Sequence, residues 1–154
     1  MSEQSLKATV QRDLTAAMRE RDQVRAGTLR MALTAISTEE VSGKQARELT
    51  DDDVLGVLTS ESKKRREASE AFEDAGRAEM AAKERSEAAV IADYLPEQLT
   101  AQEISDLVAS TIATLGVQDE GMRAMGKVMG AVQGQTKGRA DGGAVAAEVR
   151  RQLG

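Results

Sequence analysis

The sequence predicts an all-α protein with an N-terminal antiparallel helical bundle followed by a small three-helix C-terminal domain. Apolar residues recur at helical spacing along most of the 154 residues. No stretch shows the alternation of apolar and polar residues that is typical of a half-buried strand. Pro96, the only proline, disfavours helical geometry at the residue before it. We therefore expect two helical domains, at residues 1–96 and 97–154.

Four helices are expected before Pro96, and the first two should pair antiparallel. Capping residues mark two of the helix starts. Asp22 precedes the second helix, and Thr50 precedes the third, where Asp51–Asp53 place negative charge at the positive end of the helix dipole. Gly76 separates the third helix from the fourth.

The core expected between these helices is poor in aromatic side chains. Aromatic residues make up 1% of the chain and Trp is absent, so Ala, Leu, Val, Ile and the seven Met residues must fill the core. The apolar stripes place Met18, Val24 and Met80 among the buried positions.

The C-terminal domain begins with the clearest helix in the chain. Thr100–Glu103 has the sequence of a capping box, and apolar residues then recur with helical period up to Gly116. Two short helices should follow, at about 121–132 and about 142–153. Residues 133–141 would join them, with Asp141 as the N-cap of the last helix.

The composition excludes several classes of chemistry. Histidine and cysteine are both absent, which removes imidazole acid-base catalysis, thiolate nucleophiles, disulfides and the common zinc sites. We identify no catalytic residues and expect no cofactor and no metal. No apolar run approaches the roughly 18 to 20 residues that span a bilayer, and residues 1–10 lack a signal-peptide core. We expect a cytoplasmic protein without a membrane partner.

Positive charge is concentrated in one C-terminal segment, although the net charge of −5 by itself argues against a nucleic-acid partner. Residues 121–140 contain Arg123, Lys127, Lys137 and Arg139 and no acidic residue. The segment also lacks aromatic side chains on which bases could stack. Such a surface favours phosphate contacts with a folded RNA that is recognised by its shape.

Lys137, Gly138 and Arg139 are expected to form a flexible turn directly before a helix N-terminus. Backbone N–H groups and the helix dipole favour an anion at that place. The carboxylate of Asp141 competes for the same N–H groups, so a phosphate would depend on the lysine and arginine side chains. The alternative interpretation is a mobile, solvent-exposed turn without a ligand.

Gly126 and Gly130 lie one turn apart on a predicted helix, where each costs about 1 kcal/mol relative to alanine. Two interpretations stay open. A neighbouring helix could pack closely against the bare stripe, or a ligand or RNA backbone could approach it with Lys127 alongside.

The N-terminal region contains a second basic face, formed by Lys63, Lys64, Arg65 and Arg66. It could contact phosphates, but acidic residues three or four positions away favour a solvated face with ion pairs. Ser60 and Lys63 match a Ser-x-x-Lys nucleophile pattern whose companion motifs are missing.

Three segments, in this order and spacing, resemble the standalone YqeY proteins: Tyr94–Leu99, Met125–Gly130 and Lys137–Gly142. The likeness covers nearly the whole chain, with less specific matches at Arg30-Met31 and in the basic run before Ser69.

YqeY proteins are similar to the C-terminal tail of GatB, the B subunit of the glutamine-dependent amidotransferase that corrects misacylated Glu-tRNA(Gln) or Asp-tRNA(Asn). In that enzyme the tail is a helical tRNA-recognition appendage. The resemblance therefore implies an all-α fold with an N-terminal helical bundle, a smaller C-terminal helical domain and an RNA-facing basic surface. It does not imply catalysis. It also implies that Lys127, Lys137, Gly138 and Arg139 contact the tRNA backbone.

Two other functions stay open. One is an auxiliary subunit or enzyme with carbon-nitrogen ligase or amidase activity that uses glutamine as amido donor, which rests on family association alone. The other is a protein-interaction module, in which Gly126, Gly130 and the methionines around them dock a partner helix.

Overall fold

The computed structural model describes residues 4–154, and within them it contains helices and no strand. The predicted all-α fold class is confirmed. A 3-10 turn (Gly121–Ala124) precedes the sixth of the α-helices, which are α1 (Leu6–Arg19), α2 (Gln23–Glu40), α3 (Asp51–Asp74), α4 (Ala78–Ala92), α5 (Ala101–Leu115), α6 (Met125–Thr136) and α7 (Gly142–Leu153).

The helices form two compact units that divide between Leu95 and Pro96. In the N-terminal unit α1 packs against α2, α3 packs against α4, and α2 contacts both α3 and α4. In the C-terminal unit α5, α6 and α7 all contact one another. Each unit has its own hydrophobic core.

Side-chain caps begin five of the described helices: the cap of α1 at Ser5 was not predicted, and the other four were. The Asp22 carboxylate accepts a hydrogen bond from the Arg25 backbone N–H at 3.1 Å and starts α2. At the start of α3 the Thr50 hydroxyl accepts from the Asp53 N–H at 3.2 Å, while the Asp53 carboxylate accepts from the Thr50 N–H at 3.0 Å. This reciprocal pair satisfies two backbone donors that a helix end leaves without a partner.

Alanine, leucine, valine and isoleucine fill the core as predicted, but the methionines do not: the six that the structure describes are exposed or half-buried, and Met1 lies outside the described residues. Buried alanines such as Ala17, Ala32 and Ala81 occupy contact positions, because a small side chain lets two helices approach closely. Longer side chains expected in the core project to its edge. Met125 and Met129 are half-buried, and the exposed residues are Met18 at 56%, Val24 at 49%, Met31 at 49%, Met80 at 42% and Met122 at 49%.

The core of the C-terminal unit is rich in valine. Thr100 and Glu103 form the predicted capping box of α5, and Gly116 ends that helix at a φ of 66°. The buried hydrophobic side chains of the unit come from all three helices, from the 3-10 turn and from the connection that precedes it, and are Ile104, Val108, Ile112, Val117, Ala124, Val128, Val132, Val145, Val149 and Leu153.

Helix α6 extends further than the sequence predicts. Residues 133–136 were expected in a loop, yet they continue the helix to Thr136. Thr136 is buried and continues the four-residue spacing of Val128 and Val132. Its hydroxyl donates to the Val132 carbonyl oxygen at 3.2 Å, which satisfies the buried polar group.

Candidate nucleic-acid interface

The solvent-facing side of α6 carries a stripe of three glycines, which we call the glycine stripe. Gly126, Gly130 and Gly134 recur every four residues, and all three are exposed. A Cβ atom added at any of them would meet no atom within 4 Å outside the adjacent helix backbone. Within the C-terminal unit, close packing of a neighbouring helix therefore does not require glycine at Gly126 and Gly130.

Gly134 is a member of this stripe that the sequence reasoning missed. It was expected in the loop at 133–141, whereas the structure places it inside α6. The indication in the sequence was the constant spacing of four residues from Gly126 through Gly134, which puts all three on one helix face.

Lys127 lies beside the glycine stripe with 66% of its side chain exposed. Its ammonium group is 3.7 Å from the Glu120 carboxylate, just before the acid-free segment. Arg123 is exposed on the 3-10 turn, and its Nε donates to the Glu120 backbone oxygen at 3.3 Å. A surface ion pair such as Lys127 with Glu120 contributes only about 0–1 kcal/mol, so it does not prevent Lys127 from meeting a phosphate.

The turn after α6 is fixed in place rather than flexible. Gly138 is buried, with a φ of 75° that favours glycine. Its carbonyl oxygen accepts a hydrogen bond from the Gln98 side chain at 2.8 Å. The backbone N–H of Leu99 donates to the Arg139 oxygen at 2.8 Å, and the Arg139 N–H donates to the Thr136 oxygen at 2.9 Å.

These hydrogen bonds join two of the segments that carry the family resemblance, Tyr94–Leu99 and Lys137–Gly142. The Arg139 Nε also donates to the Glu97 backbone oxygen at 3.1 Å, and Arg139 is half-buried. Lys137, by contrast, is exposed. The two cations that look equivalent in the sequence therefore differ, because Arg139 helps to hold the turn that presents Lys137.

Asp141 occupies the N-terminal end of α7, as predicted. Its carboxylate accepts a hydrogen bond from the Ala144 backbone N–H at 3.2 Å. An anion at this helix end would meet that carboxylate, so phosphate contacts near the turn would depend on cationic side chains.

The basic run of the N-terminal unit is not a continuous exposed face, because Arg65 is buried at 7% exposure. Its guanidinium lies between α3 and α4, with Nε 3.5 Å from the Glu87 carboxylate and Nη2 3.8 Å from that of Glu61. Arg65 therefore does not belong to an exposed basic face, because it is buried between two helices.

The other residues of this run also lie among acidic side chains. Lys63 is 3.9 Å from Glu67, and Lys64 is 3.3 Å from Glu61. Arg66 is exposed. This arrangement favours the interpretation of a solvated helix face over that of a phosphate site.

Catalytic or metal chemistry gains no support from the geometry. Ser60 is exposed on α3, and the lysine of its Ser-x-x-Lys pattern, Lys63, pairs with Glu67. Within residues 4–154 no group of three acidic side chains is placed to hold a metal ion. In the same part of the chain, every helix is too short or too polar to cross a membrane.

Comparisons with known proteins agree with the resemblance seen in the sequence. The family described as Yqey-like protein matches residues 7–153, a range that includes the glycine stripe and the turn after α6. An uncharacterized protein of the fission yeast Schizosaccharomyces pombe is 36% identical over 94 residues, which cover 60% of this chain and 74% of the yeast protein. The chain belongs to the YqeY family.

Proposed function

We propose that the C-terminal unit is a tRNA-binding domain that contacts the phosphate backbone, as the resemblance to the GatB tail implies. The observation that carries the proposal is the exposed, bare face of α6, with Lys127 beside it and Lys137 just beyond its end.

The glycine stripe lowers the stability of α6 without a compensating contact in the described chain. Each of the three glycines costs about 1 kcal/mol relative to alanine in a helix interior. Because Cβ atoms would fit at all three positions, close packing within the unit does not require glycine there. A requirement for close approach from outside explains the stripe, and a sugar-phosphate backbone could lie directly against the bare helix.

The charges around the stripe favour an anionic ligand. Residues 121–140 contain no acidic side chain, and Arg123, Lys127 and Lys137 are exposed there. Arg139 and Gly138 have a different role in this proposal, since they shape the turn that holds Lys137 in place.

The chemistry of the surface favours folded RNA over an unpaired strand. The two aromatic residues of the chain, Phe72 and Tyr94, belong to the N-terminal unit, so the C-terminal unit has no aromatic ring of its own on which a base could stack. Lysine and arginine side chains contact phosphates, whose positions depend on the shape of the RNA.

Binding of tRNA to the full chain over a range of salt concentrations tests the proposal. We expect the double substitution Lys127→Ala with Lys137→Ala to weaken binding roughly tenfold at low salt. It should also reduce the slope of log affinity against log salt by about 2, because each lysine that is removed leaves one phosphate without its protein cation.

A matched control removes the same charge from the N-terminal unit. Lys63→Ala with Lys64→Ala takes two lysines from a face rich in glutamates, and we expect tRNA affinity to change by less than about twofold. Equal losses of affinity for the two double variants, or no tRNA binding by the unaltered chain at low salt, would contradict the proposal.

A second candidate function, docking of a partner helix, is favoured by the same glycine stripe and by the exposed Met122 nearby. Gly130→Leu tests whether the ligand needs a bare helix surface, whereas the lysine variant tests whether it needs positive charge. Gly56→Leu is the control, because Gly56 lies at an equally open helical position of α3. If RNA is the ligand, both Gly130→Leu and the removal of Lys127 and Lys137 weaken tRNA binding. If a helix is the ligand, the lysine variant leaves capture of the partner intact.

A further inference from the structure

A groove in the N-terminal unit places a methionine beside an incompletely hydrogen-bonded arginine. The groove lies between α2 and α3 and has a volume of about 610 Å³. Met31, on α2, lines it and is 49% exposed. An Arg65 Nη2 atom lies 3.4 Å from the Met31 Sδ atom.

Arg65 has carboxylates near its Nε and Nη2 atoms, but at distances too long for strong hydrogen bonds. Its Nε is buried and has no hydrogen-bond partner. The neighbouring carboxylates of Glu87 and Glu61 are 3.5 Å and 3.8 Å away, which is longer than a well-formed charge-assisted hydrogen bond. The thioether sulfur of Met31 is only a weak acceptor. The Arg65 N–H group that points at Met31 therefore forms only a weak hydrogen bond to the sulfur, and a stronger acceptor at that place would bind it better.

We propose that Met31 is an oxidation site, at which a peroxide forms a methionine sulfoxide that Arg65 binds. The sulfur lone pair attacks one peroxide oxygen, the O–O bond breaks, and an S–O bond forms. The sulfur is oxidised by two electrons, and the second oxygen leaves as water or an alcohol after taking up a proton. Because the chain has no cysteine, its sulfur chemistry belongs to methionine alone.

Oxidation gives the Met31 side chain a stronger hydrogen-bond acceptor. A sulfoxide oxygen accepts strongly, and here it would form next to a nearly buried cation. Oxidation usually destabilises proteins because it makes an apolar side chain polar. At Met31 the polar group would instead face both Arg65 and the solvent in the groove, so oxidation should stabilise the N-terminal unit.

Other exposed methionines provide internal comparisons. Met18, Met80 and Met122 are 56%, 42% and 49% exposed. Among the described methionines, Met31 is the one whose sulfur accepts a hydrogen bond from an arginine. Exposure alone therefore predicts similar access to peroxide at these positions, whereas stabilisation by the product is expected only at Met31.

The test replaces methionine with glutamine, whose side-chain oxygen imitates the sulfoxide acceptor, and follows thermal unfolding of the full chain. We expect Met31→Gln to raise the unfolding midpoint of the N-terminal unit by about 3 °C. Met18→Gln, at an exposed position of the same unit, should change the midpoint by less than about 1 °C. In an Arg65→Lys background, which lacks the planar guanidinium, the gain from Met31→Gln should disappear.

Direct oxidation provides a second measurement that does not depend on Arg65→Lys folding. Both the unaltered chain and Met31→Leu are treated with hydrogen peroxide, their sulfoxides are located by mass spectrometry, and their midpoints are compared before and after treatment. We expect a sulfoxide at Met31 and a higher midpoint after treatment for the unaltered chain only. A lower midpoint for Met31→Gln, a gain that persists with Arg65→Lys, or an unreacted Met31 beside oxidised Met18 and Met122 would each overturn the proposal.

Discussion

The two units of this YqeY-family protein use their basic residues in opposite ways. In the N-terminal unit, Lys63–Arg66 is a dense run of positive charge, yet Arg65 is buried between carboxylates and the lysines lie beside glutamates. In the C-terminal unit the cations are more widely spaced, and Lys127 and Lys137 are exposed beside a helix that carries no acidic residue, although Lys127 lies 3.7 Å from the carboxylate of Glu120, which precedes that helix. The availability of a cation for a ligand therefore depends on packing and neighbouring charge more than on local density.

Polar networks also tie the N-terminal unit together more extensively. The Tyr94 hydroxyl donates to the Asp13 carboxylate at 2.6 Å and accepts from Arg25 at 3.3 Å, which links α1, α2 and the end of α4. Burial, together with the hydrogen bond to Asp13, raises the pKa of Tyr94 well above its usual value. The C-terminal unit combines its valine-rich core with hydrogen bonds at the turn after α6, from both backbone and side-chain donors.

The largest effect should come from breaking the buried ion pairs of the N-terminal unit. Arg65→Ala leaves the Glu87 side chain, which is 12% exposed, without this counter-ion, whereas Glu61 keeps Lys64 at 3.3 Å. We expect a loss of about 3 kcal/mol in the free energy of unfolding, measured with urea.

The adjacent Arg66→Ala is the matched control for Arg65→Ala, because Arg66 is exposed. Its effect should be within about 0.5 kcal/mol. Similar losses of stability for the two variants would mean that the charge of the whole run, rather than the buried pairs of Arg65, stabilises this unit.

Glycine substitutions in the C-terminal unit should have effects of opposite sign. Gly138 is buried with a φ of 75°, so Gly138→Ala should destabilise the unit by about 1–2 kcal/mol. Gly130 is exposed, helical and open around a Cβ position, so Gly130→Ala should stabilise it by about 0.5–1 kcal/mol. Urea unfolding followed by signals from this unit gives both values. A destabilising Gly130→Ala would show that the glycine stripe is required for folding and not for a ligand.

Features set by local sequence could be predicted, and those set by contacts between helices could not. Asp22, Thr50 and Asp141 were recognised as N-caps because a cap depends on a few consecutive residues. The burial of Arg65 depends on Glu87 of another helix, which the basic run itself does not indicate. Met80 was expected in the core because it belongs to an apolar stripe of the helix. In the structure Met80 is exposed, and Ala81 next to it is buried.

The same division applies to the candidate site. The acid-free segment and its cations could be read directly from the sequence, whereas the fixed turn could not. Its hydrogen bonds join Gln98 and Leu99 to residues about 40 positions later in the chain. Burial of Thr136 extends α6 as far as that residue and thereby places Gly134 on the glycine stripe. Glycine as a residue type favours a loop, so residue type alone did not indicate this position.

The smallest effects concern acid stability, where one carboxylate in each unit has a lowered pKa. Hydrogen bonding to the Thr50 backbone, followed by Arg47, lowers the pKa of Asp53 from 3.8 to about 2. In the C-terminal unit a hydrogen bond from Arg151 is the main reason that the pKa of Glu148 falls from 4.5 to about 2. Both carboxylates stabilise the folded state above their ordinary pKa, and their contributions are lost as the pH falls towards 2.

Salt should distinguish the two carboxylates. The Asp53 contribution depends first on a hydrogen bond from a backbone N–H group, whereas that of Glu148 depends first on a hydrogen bond from the side chain of Arg151, an exposed ion-pair partner that salt can screen. Raising the ionic strength from about 0.01 to about 1 M shortens the screening length from about 30 to about 3 Å. We therefore expect NMR titration to show a larger salt-induced rise in the pKa of Glu148 than in that of Asp53. Arg151→Gln should remove most of the salt dependence at Glu148, and an equal rise at both carboxylates would show that the cap of α3 is held mainly by Arg47.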